Sequence, residues 1–130
     1  ATWKRIANAQ RPTPRYSGTG IWIEVRLAKQ VFLYVKNGVV LRTLPTSTGA
    51  RFTYQKAPYT VKRKPIADGP RYRALYLVPG NVLAIHGYPS VPTYPASNGC
   101  IRLPKWEMDA LRAQDRTNPL IPDGTKVYIG

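Results

Sequence analysis

Ile21-Trp22-Ile23-Glu24-Val25-Arg26-Leu27, followed by Val31 to Lys36, Asn37-Gly38 and Val39 to Leu44, is the stretch whose reading decides the fold. In its first segment Ile21, Ile23, Val25 and Leu27 fall on one face and Trp22, Glu24 and Arg26 on the other. That period of two is the pattern of a half-buried strand. The next two segments are rich in β-branched and aromatic residues and meet at Asn37-Gly38, a pair that tolerates the positive φ angles of a two-residue turn. A strand followed by a hairpin is therefore expected between residues 21 and 44.

Outward from this core the strand signals continue. Pro45 to Ala57, with Ser47-Thr48-Gly49, has little periodicity and reads as a loop that borders a site, leading to a strand at Tyr59 to Arg63. Lys62-Arg63-Lys64 reads as a solvated basic face, and Pro65 to Pro70 with Asp68-Gly69 as a turn. Tyr72 to Val78 and Val82 to His86, separated by Pro79-Gly80-Asn81, form a second hairpin. Pro89, Pro92 and Pro95 make Gly87 to Gly99 a stiff exposed loop, because proline removes backbone donors. Pro104 to about Gln114 is the one clear helix, with proline at its first position, Glu107 and Asp109 early, Arg112 late, and Trp106, Met108, Ala110 and Leu111 as apolar contacts. Lys126 to Ile129 closes the chain as a strand. Residues 1–20, with Lys4, Arg5, Arg11 and Arg15, no acid, and a Ser17-Gly18-Thr19-Gly20 stretch, read as an irregular basic arm preceding one domain over 21–130.

The 130 residues suffice for one domain with a hydrophobic core and are too few for two ordinary ones. No apolar run approaches the roughly 18 residues of a membrane span. The first residues, Ala1-Thr2-Trp3-Lys4, do not form the charged segment and apolar core of a secretory signal. Twenty basic against six acidic residues leave a net charge of +14, which concentrates anionic partners at the surface. Nucleic acid, an anionic membrane and a wall polymer rich in carboxylate and phosphate all fit that charge, as does a merely solubilising surface.

A single cysteine cannot close an intramolecular disulfide or by itself supply a thiolate metal site, so Cys100 is a free thiol and no metal centre or cofactor is expected. A lone cysteine is often a small buried hydrophobe. Against that stands its setting. A thiol attacks carbonyls as a thiolate, formed beside an imidazole, in a cationic environment or at a helix N-terminus. Cys100 lies shortly before the Pro104 helix, Arg102 is two residues away, and the only histidine, His86, brackets the same proline loop. On spacing alone the catalytic and the core readings both stand.

Ile85-His86-Gly87 followed by Ser97-Asn98-Gly99-Cys100-Ile101-Arg102-Leu103 resembles the signature of the L,D-transpeptidase (YkuD-like) catalytic domain, a histidine and glycine ahead of Ser/Thr-x-Gly-Cys-x-Arg/Asn. The resemblance extends over roughly 21–130, through Ser47-Thr48-Gly49, Tyr59-Thr60-Val61 and the Asp123-Gly124-Thr125-Lys126-Val127-Tyr128-Ile129 ending. Two departures stand out. Asn98 occupies the place where many relatives carry a second histidine, and Tyr54-Gln55-Lys56-Ala57 replaces their Thr-Pro-x-Gly.

The resemblance implies a mainly β fold, a mixed β-sandwich with one or two short helices. It implies a peptidoglycan L,D-transpeptidase of the bacterial cell envelope, periplasmic or secreted, with stem peptides as partners and no nucleic acid. Cys100 would be the nucleophile, His86 its base, a backbone carbonyl near Gly87 the group that sets the imidazole tautomer, and the N–H groups of Gly99 and Cys100 the oxyanion donors. Arg102, Ser97 and Asn98 would contact substrate or shape the loop. Acylation of Cys100 by a carbapenem is implied as well. Two other readings remain: an L,D-carboxypeptidase with water as acceptor, and a non-catalytic module holding anionic wall polymers.

Overall fold

The computed structural model describes residues 13–63, 71–80 and 82–130. Residues 1–12 of the basic arm, Lys64, the Pro65 to Pro70 turn and Asn81 lie outside the described residues. The opening hairpin forms as its composition predicts: β1 (Ile21–Arg26) pairs with β2 (Val31–Lys36), which turns at Asn37 and Gly38, φ 51° and 81°, into β3 (Val39–Pro45). Then come β4 (Tyr59–Lys62), β5 (Tyr72–Val78), β6 (Leu83–Tyr88), β7 (Ile101–Pro104), the helix α1 (Lys105–Arg112) and β8 (Lys126–Ile129).

The eight strands form one curled sheet in the order β3-β2-β1-β8-β4-β5-β6-β7. The β1/β8 and β6/β7 pairs are parallel and the remaining neighbours antiparallel. This is a mainly β fold with mixed pairing. Its inner face encloses one core, to which β1 gives Ile23 and Val25, β6 Ile85, β7 Ile101 and Leu103, and α1 Met108 and Leu111. The curl also brings the chain after β3 to the outer edge of β7. Ser47 and Arg102 exchange backbone hydrogen bonds of 3.3 and 3.0 Å, so that edge is paired rather than left as an open template. No helix of the described residues is long and apolar enough to cross a membrane.

Four expectations change. β1 is not half-buried: its second face packs too, with Trp22 against Val31, Leu33 and Val35, and Glu24 only 1% exposed. The polar face of β1 is covered because Glu24 gathers four donors. These are Trp22 Nε1 and Arg26 Nη2, each at 2.9 Å, and the backbone N–H groups of Arg15 at 3.0 Å and Tyr16 at 3.4 Å. Tyr16 stacks on Tyr128 with ring centroids 3.8 Å apart. Arg63 is not a free member of a solvated run, since it pairs with Asp115 at 3.0 Å and Asp123 at 3.1 Å. Ile101–Pro104 is a strand, so β6 runs on to Tyr88 and the helix begins at Lys105 with Pro104, ψ 142°, as its N-cap. Finally, Trp106 is 53% exposed rather than a core contact of α1.

Candidate active site

Alternation along two neighbouring strands places the chemistry. On β6 the side chains of Leu83 and Ile85 point into the core, so Ala84 and His86 point to the opposite face; on β7 Ile101 and Leu103 point inward and Arg102 outward. The parallel register pairs Ile85 with Ile101 and His86 with Arg102. Cys100, one residue upstream of β7, continues the line beside Ala84 and packs on the Ala74, Tyr76 and Ala84 cluster. It is thereby the diagonal neighbour of His86 on one face, at a Cα separation of about 8 Å from strand geometry. Both residues line one cavity of about 280 Å3, with Arg71, Tyr88, Asn98, Gly99 and Arg102 among its walls.

The loop after β3 holds the turn that presents Cys100. The Thr48 carbonyl accepts from the backbone N–H groups of Ala96 and Ser97, both at 3.0 Å, and Ala50 N–H donates to Ser97 O at 3.0 Å. Gln30 fixes this segment from behind, donating to Thr48 Oγ1 and accepting from Thr48 N–H at 2.9 Å each. Within the turn, Ser97 Oγ donates to Cys100 O at 2.6 Å and accepts from Gly99 N–H at 3.1 Å. Ser97 is buried and its hydroxyl is spent on loop shape, whereas Asn98 is exposed at the cavity wall. The Gly99 N–H, which the resemblance implies as an oxyanion donor, has the Ser97 hydroxyl as its partner within the turn.

Gly99 and Gly49 meet where no larger residue fits. A Cβ on Gly49 would stand 2.8 Å from Gly99 Cα, and Gly99 takes φ +153°, a conformation disfavoured for L side chains. Tyr54 clasps the same contact: its hydroxyl accepts from Gly49 N–H at 2.8 Å and donates to Gly99 O. Nothing in the sequence marked Tyr54 as a site residue, because Gly99, 45 residues on, is brought to it only by the tertiary fold. Tyr54→Phe removes both bonds while preserving the ring. It is expected to lower turnover at Cys100 by roughly tenfold or more through misplacement of the turn, with little change in thermal midpoint. Steady-state kinetics beside a melting curve checks this.

His86 is buried, and its Nδ1 lies 2.9 Å from Gly87 O. A carbonyl only accepts, so Nδ1 carries the proton and Nε2 is left with its lone pair. Gly87 is required at this point: a Cβ there would stand 2.7 Å from the Tyr72 ring and 3.2 Å from Lys105 Cα. Burial holds the imidazole below the ordinary value of 6.5, and the Arg71 and Arg102 charges push the same way, outweighing the opposing Gly87 bond. The neutral base therefore persists into mildly acid solution. A reaction needing it should rise with pH through a midpoint below 6.5, readable as the acid limb of the rate of Cys100 acylation.

Cys100 is partly buried, its Sγ 4.0 Å from Val82 O. The expected helix N-terminus does not serve it. The whole of β7 lies between Cys100 and α1, a span of about 13 Å at strand rise, beyond the reach of a helix dipole that acts over one turn. His86, Arg71 and Arg102 line the same cavity as the thiol. Arg102 lays its guanidinium over the Tyr88 ring, 4.0 Å from the centroid. Among the described residues no three of His, Cys, Asp and Glu come together as metal ligands.

Residues 20–129 match the family model of the L,D-transpeptidase catalytic domain. Among solved structures, that of an L,D-transpeptidase from Xylanimonas cellulosilytica is 31% identical with a TM-score of 0.71, covering 92% of this chain and 64% of that one. One from Stackebrandtia nassauensis is 15% identical with a TM-score of 0.67, covering 98% and 63%. A third, from Mycobacterium smegmatis, is 18% identical with a TM-score of 0.64, covering 87% and 59%. The chain thus spans less than two thirds of the length of these structures. No curated protein sequence matches it.

Proposed function

Because the chain belongs to the L,D-transpeptidase catalytic domain family, we propose that it is a cysteine acyltransferase of the bacterial cell envelope acting on peptidoglycan stem tetrapeptides. The observation that carries this reading is the imidazole whose Nδ1 proton is tied to Gly87 O, leaving Nε2 as a base on the cavity that Cys100 also lines. Nε2 takes the thiol proton and the sulfur attacks the carbonyl of the L,D bond. The Cys100 N–H stabilises the oxyanion, and collapse breaks the C–N bond as the imidazolium returns the proton to the departing D-alanine amine. An amine on a neighbouring stem then takes the acyl group from the thioester. Water in its place makes the protein an L,D-carboxypeptidase by the same first half-reaction.

In this reading residues 21–130 are the catalytic domain and 1–20 a basic arm. The +14 charge holds the domain against anionic wall polymer.

Mass spectrometry of muropeptides after incubation tests the assignment. The expected product is a cross-linked dimer lacking one D-alanine, absent with Cys100→Ala. Release of D-alanine without a dimer would establish the carboxypeptidase. No change in the muropeptides, with salt-sensitive binding to the wall retained in Cys100→Ala, would leave the wall-binding module.

A further inference from the structure

We propose that Arg71 and Arg102 together bind the terminal carboxylate of the residue that Cys100 expels, and so confine attack to the last peptide bond of the donor. The inference rests on the acyltransfer reading above and adds to it the feature of the substrate that the site recognises.

Arg71 and Arg102 line the cavity with His86 and Cys100, and among the described residues no aspartate or glutamate lines it. Most of the described acids are engaged by other arginines: Glu24 by Arg26, Asp109 by Arg73, Asp115 by Arg63 and Arg112, and Asp123 by Arg63. Among the described residues neither Arg71 nor Arg102 is ion-paired. Two such cations in one concave site focus a positive field, and the described residues supply no counter-charge there. A ligand must bring it.

Geometry selects which carboxylate. Arg102 stands directly opposite His86 across the parallel pair and two residues beyond Cys100, about 7 Å along the strand. The imidazole must reach the nitrogen of the departing residue to protonate it. In an α-amino acid the carboxylate lies one carbon beyond that nitrogen, on the Arg102 side when the scissile carbonyl sits at Cys100. Tyr88 covers one face of the Arg102 guanidinium at 4.0 Å, which leaves the N–H edge for the two-pronged contact that suits a carboxylate. Arg71 approaches from the start of β5, its guanidinium 5.7 Å from the centroid of the Tyr76 ring. A donor extended by one residue places its carboxylate past this pair, and an amidated end lacks the charge.

The test separates binding from turnover. Affinities of a synthetic stem tetrapeptide and of its C-terminal amide are measured by calorimetry on the Cys100→Ala chain, which cannot acylate. The acid should bind roughly tenfold or more tighter than the amide, as expected for charge-assisted contacts. Raised salt should narrow the gap, and adding either Arg71→Ala or Arg102→Ala should largely close it. Equal affinity for acid and amide overturns the proposal, as does a gap that survives both arginine substitutions, or binding of neither peptide. The acid-against-amide comparison needs no arginine variant, so it holds even if one misfolds. Failure of the acyltransfer reading looks different: unchanged muropeptides from the native chain while the acid is still preferred.

Discussion

Incubated with a carbapenem, the native chain is expected to gain a single covalent adduct, on Cys100. The strained cyclic amide presents the same kind of carbonyl as the stem peptide bond. Sulfur attack forms the S–C bond and breaks the ring C–N bond, with the proton delivered to that nitrogen, so the acyl group stays attached. The reaction calls on the same three elements as the proposed turnover: the thiol, the Nε2 base oriented by Gly87 O, and the turn held by Ser97 and Tyr54. Cys100→Ala should show no adduct. His86→Ala should react slower by about two orders of magnitude or more, the ordinary contribution of a general base. Intact-protein mass spectrometry reads both. An unmodified native chain whose Cys100 nonetheless reacts with a general thiol reagent would mean an accessible cysteine without a transpeptidase site. A thiol inert to both reagents would restore the buried-hydrophobe reading.

The second large effect concerns stability and lies on β1, four strands from β6 in the sheet order. Glu24→Ala should destabilise the fold by about 3–5 kcal/mol, the usual cost of removing one partner from a buried charge pair. Trp22 Nε1, Arg26 and the N–H groups of Arg15 and Tyr16 all lose their acceptor together. Burial raises the Glu24 pKa, but its four donors outweigh burial and hold the carboxyl below the ordinary 4.5. The ionised group therefore stabilises the fold above pH 4.5, and that contribution disappears as pH falls through the lower folded-state value. Glu24→Gln should remove the charge at all pH. Its stability should decline less steeply than the native chain's between about pH 5 and 2, although Asp115, lowered by Arg63 and Arg112 against its own burial, still contributes with the same sign. Urea denaturation across that range measures it. Identical acid profiles for the native chain and Glu24→Gln would remove Glu24 from the account.

Local chemistry was legible in the sequence wherever it acts over a few residues. The Asn37-Gly38 turn admits positive φ, the period-two segments can only be strands, and Lys126–Ile129 has the length and composition of a strand bounded by Asp123-Gly124. His86, Gly87, Gly99 and Cys100 were legible as a pattern, since their residue types and order carry the chemistry. Arg71 and Tyr54 were not: Tyr54 reaches Gly99, 45 residues away, and Arg71 joins the cavity of Cys100 only through the tertiary fold.

What the sequence by itself determined was seven of the eight strands, the hairpins and the identity of thiol and imidazole, all properties of short segments with their own conformational preferences. The tertiary structure alone decided the rest. Ile101–Pro104 ends on a proline that reads as a helix start, and it becomes a strand only because β6 offers its parallel edge. That pairing put Cys100 diagonal to His86 and moved it away from the helix. Covering the outer face of β1 turned Glu24 from an expected surface acid into a buried acceptor of four bonds. The physical reason is common to these cases: pairing and burial depend on groups far apart in the chain, and no local pattern encodes which face of a strand the remainder will cover.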